Sequence, residues 1–72
     1  MPHVIIKMFA GRSSADKQAI TQAVSDALQS TGIAEDSISV AIEDVKPADW
    51  TEKVYRPDIL SAGDTLFKHP NY

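Results

Sequence analysis

Two segments with the two-residue periodicity of β-strands flank a single segment with helical periodicity, and this order limits the chain to few folds. Residues 3–9 place His3, Ile5, Lys7 and Phe9 on one face and Val4, Ile6 and Met8 on the other. The stretch DSISVAIEDV alternates in the same way, with Ile38, Val40 and Ile42 on one face. Both patterns predict strands.

The segment between the strands predicts one amphipathic helix. Ser13 and Asp16 have the spacing of a capping box, so we expect the helix to begin near Ser14. Its apolar residues recur every three or four positions, at Ala19, Ile20, Ala23, Val24, Ala27 and Leu28. A connection of this length that contains a helix predicts a parallel strand pair with a right-handed crossover.

The size of the chain predicts an oligomer. With 72 residues and no cysteine, the chain can form one small α+β domain of β-α-β type but cannot stabilise it with disulfides. A two-stranded sheet under one helix leaves faces and edges uncovered, so we expect partner subunits to complete the fold. The domain spans residues 1–72, with a core at 2–50 and a packing or interface tail at 51–72. Within the tail, Pro57 is expected to open a short helix.

Charge and hydropathy exclude several classes of function. The net charge is −3 and the seven basic residues are scattered, so we expect no nucleic-acid binding. The longest apolar run at the amino end, Val4-Ile5-Ile6, is too short for a membrane span or a signal peptide, so we expect a cytoplasmic protein without membrane association. His3 and His69 match no metal-ligand spacing and are interpreted as surface residues.

Pro2 has two interpretations. Proline at the head of a strand costs only one ladder hydrogen bond, so it can be purely structural. If Met1 is removed, as expected before a small second residue, Pro2 becomes a free secondary amine. The reference pKa of an α-amine, about 7.7–8.0, lies far below that of lysine, so such a group can transfer protons near neutral pH.

Arg12 is the candidate for binding an anionic substrate. It lies in GRSS, between the end of the first strand and the start of the helix. A guanidinium and the free N–H groups of a helix start can hold a carboxylate together. The alternative is a solvated loop arginine.

The pattern P-x-x-x-I-x-x-x-x-GRS, followed by a capped helix and a second strand, resembles the 4-oxalocrotonate tautomerase family over residues 2–50. The stretches SISVAIEDVKPADW and KHPNY resemble the PptA-type subgroup of phenylpyruvate tautomerases. The resemblance implies a cofactor-free keto–enol tautomerase in which Pro2 acts as general base and then acid. It also implies that Arg12 binds substrate and that Trp50 makes the pocket apolar.

Ser39 is where the sequence departs from the hexameric members of that family, which have a second arginine at this position. A serine supplies one hydrogen bond and no charge, which disfavours a dicarboxylate and favours a 2-oxo monoacid with an aromatic or apolar tail. Ser39 can equally be a solvent-facing strand residue. The longer tail favours a homodimer over a hexamer.

Two other functions remain open at this point. One is hydration or dehalogenation of an unsaturated acid by a cationic Pro2, for which Glu52 is the available water-activating residue. The other is a non-catalytic oligomerising or binding module. Lys53 and Arg56 are interpreted as solvated, or as cations that reach a neighbouring site in an oligomer.

Overall fold

The computed structural model describes residues 1–72 and contains a parallel pair of β-strands joined by one α-helix. Strand β1 spans His3–Phe9, helix α1 spans Ser14–Gln29 and strand β2 spans Ser39–Val45. The predicted strands, helix and parallel pairing are confirmed. The chain therefore has the β-α-β architecture expected from its periodicities.

Helix α1 begins where the capping pattern predicts. Ser13 has extended backbone angles. Its side-chain hydroxyl accepts a hydrogen bond from the backbone N–H of Asp16 at 3.1 Å. This bond satisfies one of the N–H groups that a helix start leaves without an intrahelical partner. The cap ends the loop that carries Arg12 and fixes the direction in which the chain leaves β1.

The two faces of the sheet meet different parts of the chain. Lys17 of α1 forms an ion pair with Asp44 of β2, with Nζ and Oδ2 2.7 Å apart, and Asp44 is in register with Met8. The face that carries Met8 therefore lies toward α1. On the opposite face, Lys7 pairs with Asp58 of the C-terminal segment. The alternation of β1 predicts the two faces but not which of them meets the helix.

The C-terminal segment differs from the prediction that Pro57 opens a short helix. A π-helix spans Thr51–Leu60 and contains Pro57 in its interior. A proline lacks the N–H of the ordinary helical bond, and its ring clashes with the carbonyl four residues earlier. The wider turn of a π-helix relieves that clash, which is why the helix continues through Pro57.

Most of the apolar surface of the chain remains accessible. Val45 and Val54 are the only buried residues, and the apolar positions of α1 are half-buried or exposed. The accessible surface is 5451 Å², whereas a compact monomer of 7.8 kDa exposes about 4,400 Å². The radius of gyration of 13.6 Å likewise exceeds the ~11 Å typical of 72 residues.

The structure contains no helix that combines the length and the hydropathy needed to cross a bilayer.

Candidate functional site

The first group of candidate residues lies at the amino end of the sheet. Pro2 precedes β1 and is half-buried, and its carbonyl accepts a hydrogen bond from the backbone N–H of Ser39 at 3.2 Å. The parallel register places Ser39 directly opposite His3. Two of the predicted site residues, Pro2 and Ser39, are therefore neighbours in one chain.

A side-chain contact joins His3 to Ser39. His3 Nδ1 lies 2.6 Å from Ser39 Oγ, and both residues are solvent-exposed. The sequence interpretation of His3 as a surface residue agrees with its exposure but does not include this contact. The alternation of β1 predicts that His3 shares a face with Ile5, Lys7 and Phe9. The residue opposite His3 depends on the strand register, which the sequence does not reveal.

The second group lies at the carboxyl end of the sheet. Phe9, the last residue of β1, packs edge to face against Trp50, with ring centroids 5.1 Å apart and planes at 83°. The Trp50 Nε1–H donates a hydrogen bond to the Tyr72 hydroxyl at 3.2 Å. These three aromatic residues line a cavity of about 370 Å³ that is almost entirely apolar. This volume is at the lower end of the range for ligand pockets.

Local sequence explains how the aromatic residues come together. Lys46 is extended, and Pro47 then starts a 3₁₀ turn over Pro47–Asp49 that ends at Trp50. This turn returns the chain to the end of β1, where Trp50 meets Phe9. From the other side, the C-terminal residue Tyr72 contacts Tyr55 with centroids 5.6 Å apart. The end of the tail thus packs on its own chain at this point.

Arg12 follows the carboxyl end of β1 and is largely exposed. Its Nη1 lies 3.8 Å from Asp16 Oδ2 across the first turn of α1. An exposed pair at this distance is weak, so the guanidinium remains available to an incoming carboxylate. Arg12 is the predicted substrate-binding cation, and it lies at the opposite end of the sheet from Pro2.

A single chain does not bring the four predicted site residues together. Seven strand residues at about 3.3 Å each separate Pro2 from Phe9 by roughly 23 Å. Pro2 and Ser39 lie at one end of the sheet, and Arg12 and Trp50 lie at the other. The distance is too long for one small substrate to touch both groups of one chain.

The remaining charged candidates are engaged at the surface. Lys53 pairs with Asp49 and Arg56 pairs with Glu52, each at 3.4 Å and with exposed side chains. The hydrogen bond that Lys7 Nζ donates to the Asp58 carboxylate raises the pKa of Lys7 above its ordinary value, against the smaller opposing effect of desolvation. No group of three His, Cys, Asp or Glu side chains has the arrangement of a metal site.

Comparison with known proteins identifies relatives over the whole chain. Residues 2–54 match the family described as "Tautomerase enzyme". A "Probable tautomerase" of Xylella fastidiosa (strain 9a5c) is 41% identical over 73 residues, which cover 100% of this chain and 89% of the relative. "Tautomerase PptA" of Pectobacterium carotovorum subsp. carotovorum (strain PC1) is 36% identical, and "Tautomerase PptA" of Cronobacter sakazakii (strain ATCC BAA-894) is 38% identical. Each of these two alignments covers 100% of this chain and 97% of the relative.

The family match extends across β1, α1, β2 and the start of the C-terminal helix, and the relatives named tautomerase extend it to the last residue. The β-α-β architecture agrees with this family, whose members are typically oligomeric. The resemblance noted in the sequence is therefore confirmed. The chain belongs to the tautomerase family and is an isomerase.

Proposed function

We propose that this tautomerase interconverts the keto and enol forms of small 2-oxo acids with an aromatic tail, such as phenylpyruvate, and needs no cofactor. Pro2, made amino-terminal by removal of Met1, transfers the proton. The amine takes the enol O–H proton and delivers a proton to C3, while the electron pair of the C=C bond forms the new C–H bond and the carbonyl is restored. The cytoplasmic location stays a prediction.

The aromatic cavity is the observation that most supports this substrate class. Phe9, Trp50 and Tyr72 line about 370 Å³ with almost no polar surface apart from the Tyr72 hydroxyl, which Trp50 already engages. A phenyl ring buries apolar area there without desolvating a charge. A second carboxylate would gain no partner in this cavity, so an aromatic monoacid fits better than a dicarboxylate.

We propose that the complete site forms between two copies of the chain. The ~23 Å between Pro2 and Phe9 in one chain prevents both ends from acting on one molecule. A homodimer that places Pro2 and Ser39 of one subunit near Arg12 and Trp50 of its partner removes this difficulty. The large accessible surface of the isolated chain supports such an association, in which the 51–72 segment contributes packing surface.

The roles of the two substrate-binding polar residues follow from their positions. The Ser39 backbone N–H bonds the Pro2 carbonyl, so Ser39 is a direct neighbour of Pro2, and its hydroxyl is assigned to the reacting oxygen. Arg12 is remote from both in its own chain and is assigned to the substrate carboxylate. In the proposed dimer, Trp50 and its neighbours shield the partner's amine from water, which disfavours the charged form of that amine and strengthens the donor at the oxygen.

The surroundings of Glu52 favour tautomerisation over hydration of an unsaturated acid. A hydratase or dehalogenase needs a carboxylate that activates water near the proline. Glu52 forms an exposed ion pair with Arg56 on the π-helix and does not line the aromatic cavity.

The test is ketonisation of enol-phenylpyruvate across pH with two forms of the protein. One form is tagless, with loss of Met1 confirmed by mass. The matched form carries an amino-terminal extension, so that the nitrogen of Pro2 is an amide. We expect activity only in the processed form, with a pH limb set by a group that titrates below about 7.7. Equal activity in both forms, or inactivity of both on aromatic and aliphatic 2-oxo acids, would overturn the proposal.

A further inference from the structure

The contact between His3 and Ser39 lies one residue from the proposed proton-transferring amine. His3 Nδ1 and Ser39 Oγ are 2.6 Å apart, slightly closer than the roughly 2.7–3.2 Å usual for a hydrogen bond between nitrogen and oxygen. The two residues are cross-strand partners in register, so the strand pairing itself holds the side chains on one face. The Ser39 backbone is fixed in turn by its bond to the Pro2 carbonyl. Pro2, His3 and Ser39 therefore form one linked group.

We infer that His3 is a positioning residue, which donates a hydrogen bond from Nδ1–H to Ser39 Oγ and so leaves the Ser39 hydroxyl proton free to bond the reacting oxygen of the substrate. The inference rests on the proposed function, because it gives His3 a part in the same site. It concerns a residue that does not itself touch the substrate.

The chemistry of the hydroxyl group explains why a partner matters. A serine hydroxyl has one donor and two acceptor sites, and its proton rotates freely when nothing fixes it. If Nδ1–H occupies an acceptor site of Oγ, the hydroxyl proton must point elsewhere. Chains of hydrogen bonds also polarise one another, so the N–H strengthens the O–H as a donor.

The tautomer of His3 decides between this arrangement and its reverse. If Nδ1 is unprotonated, it accepts the Ser39 proton, and the hydroxyl has no proton left for a substrate oxygen. If Nδ1 carries the proton, Ser39 is a donor toward the site. The 2.6 Å between Nδ1 and Oγ fits a hydrogen bond in either direction, and the position of the proton distinguishes the two.

The first test measures the tautomer directly by nitrogen NMR of the imidazole in the substrate-free protein. The chain has only two histidines, so a His69→Gln variant assigns the His3 signals. We expect Nδ1 of neutral His3 to carry the proton in the wild type. We also expect this preference to weaken in Ser39→Ala. A neutral His3 with its proton on Nε2 would overturn the inference, whether or not the protein is active.

The second test is a kinetic double-mutant cycle on ketonisation of enol-phenylpyruvate. His3→Gln removes the group at the Nδ1 position, whereas His3→Asn keeps an amide there and serves as the matched control. We expect His3→Gln to lower kcat about 2- to 13-fold, the range for one uncharged hydrogen bond, with KM unchanged. His3→Asn should retain most of the wild-type kcat.

The cycle is closed by His3→Gln in a Ser39→Ala background. If His3 acts through Ser39, the second substitution causes no further loss of kcat. Full additivity, or a wild-type kcat in His3→Gln, would overturn the inference while the proposed function stands. An inactive processed wild type would instead refute the proposed function, and the tautomer measurement still decides the position of the proton.

Discussion

Phe9 and Trp50 meet edge to face across the junction between the sheet and the C-terminal segment, with centroids 5.1 Å apart and planes at 83°. Edge-to-face pairs are favourable because the positive ring edge meets the negative ring face. Here the pair also forms two of the three walls of the aromatic cavity. One contact therefore links the packing of the C-terminal segment to the pocket proposed for the substrate.

Replacement of Trp50 by leucine is expected to weaken recognition of aromatic substrates selectively. Contact between the Trp50 ring and the phenyl ring of the substrate contributes about 0.5–1.5 kcal/mol of binding energy. Its loss corresponds to a decrease in kcat/KM of roughly 2- to 13-fold for phenylpyruvate. For an aliphatic 2-oxo acid, kcat/KM should change little, because leucine keeps the cavity apolar and that substrate makes no ring contacts there. Steady-state kinetics with both substrates test this.

Phe67→Leu is the matched control for Trp50→Leu. Phe67 is 97% exposed and does not line the cavity, so its replacement removes an aromatic ring without altering the pocket. Equal decreases for the aromatic and aliphatic substrates in Trp50→Leu would contradict a role for the cavity in selectivity.

The Lys7–Asp58 ion pair is expected to make stability depend on pH at alkaline pH. Asp58 raises the pKa of Lys7 in the folded chain above the ordinary value of 10.5. The folded chain thus holds this proton more tightly than the unfolded chain. The stabilisation is therefore fully present below pH 10.5 and is lost as the pH rises through the raised pKa.

Thermal unfolding of wild type and Asp58→Asn, at one protein concentration, tests this pH dependence. Other lysines and both tyrosines titrate in the same range, so the difference in Tm between the two proteins is the quantity to follow. We expect wild type to have the higher Tm at neutral pH and the difference to shrink above pH 10.5. A difference that stays constant with pH would show that the ion pair does not contribute.

The parts of the structure that depend on local sequence were predicted correctly. The alternation of residues 3–9 and the Ser13 cap placed β1 and the start of α1, because periodicity and capping act over a few residues. The π-helix around Pro57 was not predicted, because proline usually opens or ends a helix and the wider turn has no clear sequence signal.

The candidate site was only partly predictable for a different reason. Pro2, Arg12, Ser39 and Trp50 came from the spacing and the family resemblance, but no local pattern shows that Tyr72 returns to Trp50. The His3–Ser39 contact joins residues 36 positions apart through a register that only the folded sheet defines. Both missed residues, His3 and Tyr72, are held by contacts distant in sequence.

Arg12→Ala is expected to raise KM for phenylpyruvate and leave kcat nearly unchanged. Arg12 binds the substrate carboxylate equally in the ground state and in the transition state. Loss of this contact therefore weakens substrate binding and leaves the chemical step unchanged. A charged hydrogen bond contributes about 1.5–3 kcal/mol, which corresponds to a rise of roughly 13- to 160-fold in KM. Arg12→Lys should show a smaller rise, because lysine keeps the charge but cannot bind a carboxylate in bidentate fashion. A decrease in kcat of similar size would instead place Arg12 at the reacting oxygen.

Asp16→Asn is expected to have the opposite effect on KM. Asp16 lies 3.8 Å from the Arg12 guanidinium and competes with a substrate carboxylate for it. Exposed pairs of this kind contribute about 0.2–1 kcal/mol, so removal of the charge should lower KM roughly 1.4- to 5-fold. The Ser13 cap bonds the backbone N–H of Asp16 and is unaffected by the substitution. The control is Asp16→Asn combined with Arg12→Ala, in which the Asp16 effect should disappear. If Asp16→Asn still lowers KM without Arg12, the carboxylate acts on the substrate directly and not through the arginine.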